Sequence, residues 1–258
     1  MTGWQLFAAA AAGVGGGLLS GFFGVGGNVV LVPLLSLTLG LTQFDAQGLT
    51  LAALLPPVGA PAVWRYLKAG IKPLWALAGL CVIGFVLGVP LGSLLAKALD
   101  VRVLRALFAV LLLGLAAQLW RRRHDAENDA VFDALPPGWW RVALVAGFGA
   151  GLSSGLLGIG GAIVLIPMLR RALKLGQKQA QLTSLLMLLP PVALPGVFIY
   201  ASDSTLAWGV VAPVAVGFLV GAFAGAELTR VVPAAKLTRG FALVLVSAAV
   251  ALVFRAVR

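Results

Sequence analysis

The stretch SGFFGVGGNVVLVPLL (residues 20–35) recurs as SGLLGIGGAIVLIPML (residues 154–169). Each copy sets a GxGG cluster inside an apolar run, where glycine weakens a helix. The match extends outward. Shifted by 134 positions, residues 13–66 and 147–200 are identical at 27 of 54 sites without a gap, and LLPPVGAP lies on LLPPVALP. After a one-residue slip, GFVLGVPLG at Gly84 lies on GFLVGAFAG at Gly217. The chain is one unit written twice. Residues 1–120 form the first repeat, residues 141–258 the second, and residues 121–140 a solvated linker that holds half of the acidic residues and the only histidine.

Composition sets the solvent. Of the 258 residues, 61% are hydrophobic and 10% charged, against about 25% charged in soluble domains. Such a chain cannot cover a water-facing surface, so it is a polytopic membrane protein with the lipid bilayer as its surroundings. The net charge of +11 does not point to nucleic acid, because the basic residues sit at the ends of apolar segments, where membrane proteins place them. The sole cysteine, Cys81, excludes an intrachain disulfide. The first apolar stretch lacks a basic leader and reads as a retained helix rather than a cleaved signal.

Each half divides into about five apolar elements; in the first they cover residues 4–23, 27–39, 44–67, 73–96 and 101–120. The second is too short to cross a hydrocarbon core of about 30 Å, so elements one and two read as a hairpin broken at the GxGG motif. Pro33 and Pro167, six residues after the last glycine, read as structural helix breaks. So do Pro56, Pro57, Pro190 and Pro191 in the two LLPP motifs.

Charge relates the halves. Residues 36–45 hold no Lys or Arg, whereas their counterparts 170–179 hold four. Residues 65–72 hold three, and 199–206 none. The bias reverses, as expected if the second repeat is inserted upside down. With the hairpin returning to its starting side, 14 of the 19 basic residues share one face; parallel repeats would split them almost evenly. The expectation is therefore an all-α fold of two inverted repeats with broken-helix hairpins, in the cytoplasmic membrane, with the linker inside and both termini outside.

Inverted repeats with interrupted helices place a substrate near the midplane. Helix N-termini at Gly27–Asn28 and Gly161–Ala162 offer unpaired N–H groups and partial positive charge to an anion. Gly24, Gly26, Gly158 and Gly160 let it approach the backbone. The third element adds Gln47 and Thr50, and its counterpart Gln181, Thr183 and Ser184. Gln47 and Thr50 share a helix face, as do Gln181 and Ser184. These residues form the expected substrate site. The alternative for the glycines is close helix packing, and for the polar side chains interhelical hydrogen bonding. No charged residue lies at a span centre, and Glu227 is assigned a local ion pair with Arg230. No catalytic set, metal or cofactor is indicated, and the oligomeric state stays open, a homo-oligomer included.

The doubled GVGGNVVLVP and GIGGAIVLIP, each with an SG pair three residues before its first glycine, resemble the sulfite exporter TauE/SafE family over both halves. The resemblance implies transport of small sulfur-containing or carboxylate anions such as sulfite and organosulfonates. Where many members carry a third glycine, this chain has Asn28 and Ala162. An anion channel, an intramembrane enzyme and a substrate-free scaffold are the competing readings.

Overall fold

The computed structural model describes residues 3–23, 28–121, 135–203, 208–228 and 234–257, and the regular structure among them is helical throughout. The first half contains α1 (Gly3–Phe23), α2 (Asn28–Leu39), α3 (Gln43–Ala53), α4 (Ala60–Lys68), α5 (Trp75–Ala98) and α6 (Val101–Arg121). The second contains α7 (Trp139–Leu157), α8 (Ala162–Leu173), α9 (Gln177–Met187), α10 (Leu194–Asp203), α11 (Trp208–Leu228) and α12 (Ala234–Val257).

Six helices replace the five expected elements because the third is cut in two at LLPP. Two consecutive prolines remove two N–H donors. The chain then turns through Val58 N–H to Pro56 O (2.6 Å) and Ala60 N–H to Pro57 O (2.9 Å) before α4 begins. The second half repeats the turn with Val192 to Pro190 (2.7 Å) and Leu194 to Pro191 (3.0 Å). Pro33 and Pro167 behave differently and correct the reading from sequence: α2 and α8 run straight through them. A single proline costs one i→i−4 bond, and at the sixth residue of each helix that bond would go to a carbonyl of the first turn. Neighbouring helices hold the rest of the ladder in place.

Four described helices are long and apolar enough to cross a membrane: α5, α7, and the segments Val101–Gln118 of α6 and Trp208–Gly225 of α11. Their outer faces expose Ile83, Leu87, Val110, Val145, Val216 and Val220, among many others. The polar residues lie inside, with Gln43, Gln47, Thr50, Gln177, Gln179, Gln181, Thr183 and Ser184 all buried on α3 and α9. Apolar outside and polar inside is the distribution a lipid solvent requires. Exposed tryptophans open the first turns of four helices: Trp4 of α1, Trp75 of α5, Trp140 of α7 and Trp208 of α11. Tryptophan favours the membrane–water boundary.

The halves are interlocked. α1 packs along α11, and α5 along α7. Both contacts are glycine seams. Gly13, Gly17 and Gly21 meet the backbone at Val214, Phe218 and Ala222, while Gly217, Gly221 and Gly225 meet Ala10, Val14 and Leu18. In the other pair, Gly84, Gly88 and Gly92 meet Leu144, Phe148 and Leu152, and Gly147, Gly151 and Gly155 meet Cys81, Phe85 and Val89. A Cβ on any of them would strike a backbone carbonyl of the facing helix. Small residues thus bring backbones into contact. Numbers rise together on both sides of each seam, so α1 runs parallel to α11 and α5 parallel to α7. α6 packs on α12.

At one end of the molecule, Arg65 Nη1 in the last turn of α4 lies 3.7 Å from Glu227 Oε1 near the end of α11. Arg65 is thus a partner of Glu227 from the other half, and the expected partner Arg230 lies outside the described residues. The contact sets the turn leading into α5 beside the finish of α11.

Candidate functional site

The site is built around the break between α7 and α8. α7 closes with Gly158 N–H bonded to Ser154 O (2.7 Å). Gly158, Gly160 and Gly161 then take φ values of 71°, 72° and 71°. That left-handed region costs other residues roughly 1–2 kcal/mol each, so the GIGG sequence is what makes so abrupt a turn affordable. α8 starts at once. Its Val164 and Leu165 N–H groups bond to Gly161 O at 3.1 and 3.0 Å, and Ala162 N–H turns back to Gly160 O at 3.0 Å. The N–H groups of Gly161 and Ile163 have no backbone acceptor among the described residues, as the first turn of a helix predicts.

Two residues of the first half press on this turn. A Cβ on Gly160 would lie 2.6 Å from Asn28 Nδ2, at the first residue of α2. A Cβ on Gly158 would lie 2.9 Å from Gln47 Cα and Cβ. The start of α2, the start of α8 and the polar face of α3 therefore meet at one place. Asn28 and Gln47 are buried, and Asn28 Oδ1 and Gln47 Nε2 have no partner among the described residues. Gly161 is seated more deeply, where a Cβ would meet the Phe85 ring at 2.6 Å. Gly24, Gly26 and Gly27 lie outside the described residues.

Gln47 is held by a residue the sequence reading passed over. Tyr200 Oη lies 3.0 Å from Gln47 Oε1 and 2.7 Å from Gly155 O. One hydroxyl proton cannot serve two acceptors. Tyr200 therefore donates to Gly155 O. The Gln47 amide, turned so that Nε2 takes the place of Oε1, donates to Tyr200 Oη and leaves Oε1 in the enclosed position without a described partner. The second N–H of that amide then remains for another acceptor. Tyr66 Oη bonds to Gln181 Oε1 at 2.8 Å in the other half. The signal was present: these are the chain's only two tyrosines, 134 residues apart.

The other expected residues divide. Thr50 Oγ1 donates to Ala46 O (2.8 Å) and Thr183 Oγ1 to Gln179 O (2.8 Å), each within its own helix. Their protons are committed. Ser184 Oγ is buried without a partner among the described residues, as are Ser93 Oγ and Ser154 Oγ. Ala162 is buried and contributes backbone only. Gln181, Thr183 and Ser184 are buried on α9, and the residues 24–27 expected beside them lie outside the described residues. The buried polar side chains of the described residues are all uncharged, and no group of His, Cys, Asp or Glu there could hold a metal ion. What the place offers is neutral amide groups beside the N-terminal ends of two helices.

The sequence profile described as Sulfite exporter TauE/SafE matches residues 8–252. A Bacillus subtilis (strain 168) protein named "Probable membrane transporter protein YdhB" is 27% identical over 218 residues, covering 84% of this chain and 87% of that one. A Xylella fastidiosa (strain 9a5c) "Probable membrane transporter protein" is 26% identical over 242 residues, 93% of this chain and 91% of its own length. No solved structure gives a significant match. The chain belongs to the sulfite exporter TauE/SafE family and is a membrane transporter rather than an enzyme.

Proposed function

We propose that this transporter carries a small sulfur-containing or organic oxyanion, of the sulfite or organosulfonate class, across the cytoplasmic membrane as a secondary carrier or facilitator. The observation that carries the reading is the meeting of the left-handed glycine turn Gly158–Gly161 with Asn28 and Gln47. Helix N-termini attract anions through free N–H groups and partial positive charge, and the neutral amides add donors without fixing a counter-charge. Such a site holds its ligand in the micromolar to millimolar range, roughly −8 to −4 kcal/mol, and so also releases it.

The same reading takes the two repeats as inverted, with the linker cytoplasmic and both termini outside. The Arg65–Glu227 contact supports it. It sets the start of α5 beside the end of α11, so these equivalent helices run oppositely, and so do α1 and α7, which are parallel to α11 and α5. The charge asymmetry supplies the sidedness.

Flux into liposomes tests the function. Sulfite or a small organosulfonate should enter reconstituted vesicles with saturation. Asn28→Ala, which copies Ala162 of the other half, should leave the fold intact and raise the half-saturating concentration up to about tenfold, the effect of one neutral hydrogen bond. Flux without saturation would establish a channel instead. Transport of a cation or neutral sugar with every oxyanion ignored would overturn the reading.

A further inference from the structure

Tyr66 and Tyr200 occupy equivalent positions, and each reaches across to the equivalent glutamine of the other half, Gln181 and Gln47. Tyr66 belongs to the last turn of α4, at the end of the molecule that holds the Arg65–Glu227 contact. Tyr200 lies near the end of α10. One pair therefore sits beside the candidate site, through Gln47, and the other lies toward the end marked by Arg65 and Glu227.

The two sides are not packed alike. Tyr200 is completely enclosed. Its ring centre is 4.3 Å from that of Phe44, and Val197 and Ala193 around it belong to the main core. Tyr66 is half-buried, and of α4 only Val63 is buried. Val63 belongs to a small separate cluster with Ala78, Leu182 and Leu186. The two repeats, identical at half of their aligned positions, thus make the same contact in a tight form on one side and a loose form on the other.

We propose that Tyr200 and Tyr66 are the latches of two opposed mouths, and that the structure is the state closed at the Tyr200 mouth. Carrying a ligand through requires the reverse state, with Tyr66 and α4 packed tightly and Tyr200 and α10 loosened. Two repeats of one design can adopt each other's packing, so rocking of one half against the other interconverts the two states. The inference rests on the transporter reading of the site, but its test needs no ligand.

The equivalent buried valines report on the two mouths. In purified, detergent-solubilised protein carrying Cys81→Ala, reaction of Val197→Cys and Val63→Cys with a membrane-impermeant maleimide measures their opening. Val63→Cys should react faster than Val197→Cys. Tyr200→Phe, which keeps the ring and loses the hydroxyl, should speed reaction at Val197→Cys about two- to tenfold and slow it at Val63→Cys. Tyr66→Phe should not speed it at Val197→Cys. If Tyr200→Phe does not fold, Gln47→Met removes the partner instead and should speed the same site. An unchanged rate at Val197→Cys in a folded variant, or equal acceleration at both positions, would overturn the proposal by showing fixed packing or general loosening. Should the rates shift as stated while vesicles carry no oxyanion, the substrate reading falls and the latches stand. Saturable flux with unmoved rates would remove the latches and keep the site.

Discussion

Ser184 and Thr50 occupy equivalent positions of the two repeats but are chemically unlike. The Thr50 proton goes to Ala46 O, whereas Ser184 Oγ is enclosed without a described partner. An unsatisfied buried hydroxyl costs about 1–3 kcal/mol. Ser184→Ala should therefore raise the stability of the ligand-free protein by about 1 kcal/mol. It should also weaken oxyanion binding up to about tenfold, because the hydroxyl is then missing when the ligand arrives. Thr50→Ala should change affinity by less than about twofold, since its hydroxyl has no proton to give a ligand. Thermal unfolding without ligand and calorimetry with sulfite would check both; unchanged affinity in both variants would show that neither hydroxyl meets an anion, and an equal loss in both would show that the Thr50 proton is not committed. The sequence allowed Gln47 and Thr50 to be placed on one helix face, because i, i+3 spacing is local. It did not separate the two hydroxyls, since a back-bond within a helix and an open donor carry the same letters. Nor did it reveal the tyrosines, whose partners are 115 and 153 residues away.

The elements that hold the site in place are the glycine seams. Gly17 lies where a Cβ would strike Phe218 O of α11, so Gly17→Val would have to separate α1 from α11. Forcing side chains into a packed contact costs about 1–3 kcal/mol or more, and here the obstacle is backbone. Gly17→Val should sharply reduce the yield of folded protein. Gly114 in α6 has open space around its Cα. Gly114→Ala should instead stabilise by about 0.5–1 kcal/mol through better helix propensity. Thermostability of the detergent-solubilised variants separates the two outcomes. The close packing weighed from sequence as the alternative for the GxGG glycines is found at other glycines, which the sequence reading did not single out. Close packing holds for Gly13, Gly17, Gly21 and their partners, and the chain break holds for Gly158–Gly161. Four-residue spacing marks the first group and the crowded GxGG marks the second. The prolines were harder to read. A lone proline near a helix start and a proline pair in mid-helix were given the same meaning, although only the pair removes consecutive donors.

At the scale of the whole molecule, duplication and composition made the membrane fold legible, because a 134-residue repeat and an excess of apolar residues are properties of the chain as written. The exchange of partners, with α1 against α11 and α5 against α7, was not legible, since nothing local in α1 names the helix it will meet. That exchange makes sidedness testable. If the halves are inverted, equivalent positions in the two hairpins must face opposite sides. Thr38 near the end of α2 and Ala172 near the end of α8 are such a pair, and both are exposed. No basic residue lies near Thr38, while Arg170, Arg171 and Lys174 surround Ala172, so the positive-inside bias puts Ala172 in the cytoplasm. In intact cells carrying Cys81→Ala, Thr38→Cys should react with an impermeant maleimide from outside. Ala172→Cys should react only after the membrane is opened, as should Lys72→Cys in the turn before α5. Labelling of Thr38→Cys and Ala172→Cys from the same side would mean parallel repeats, and two helix N-termini could then no longer approach a midplane site from opposite faces.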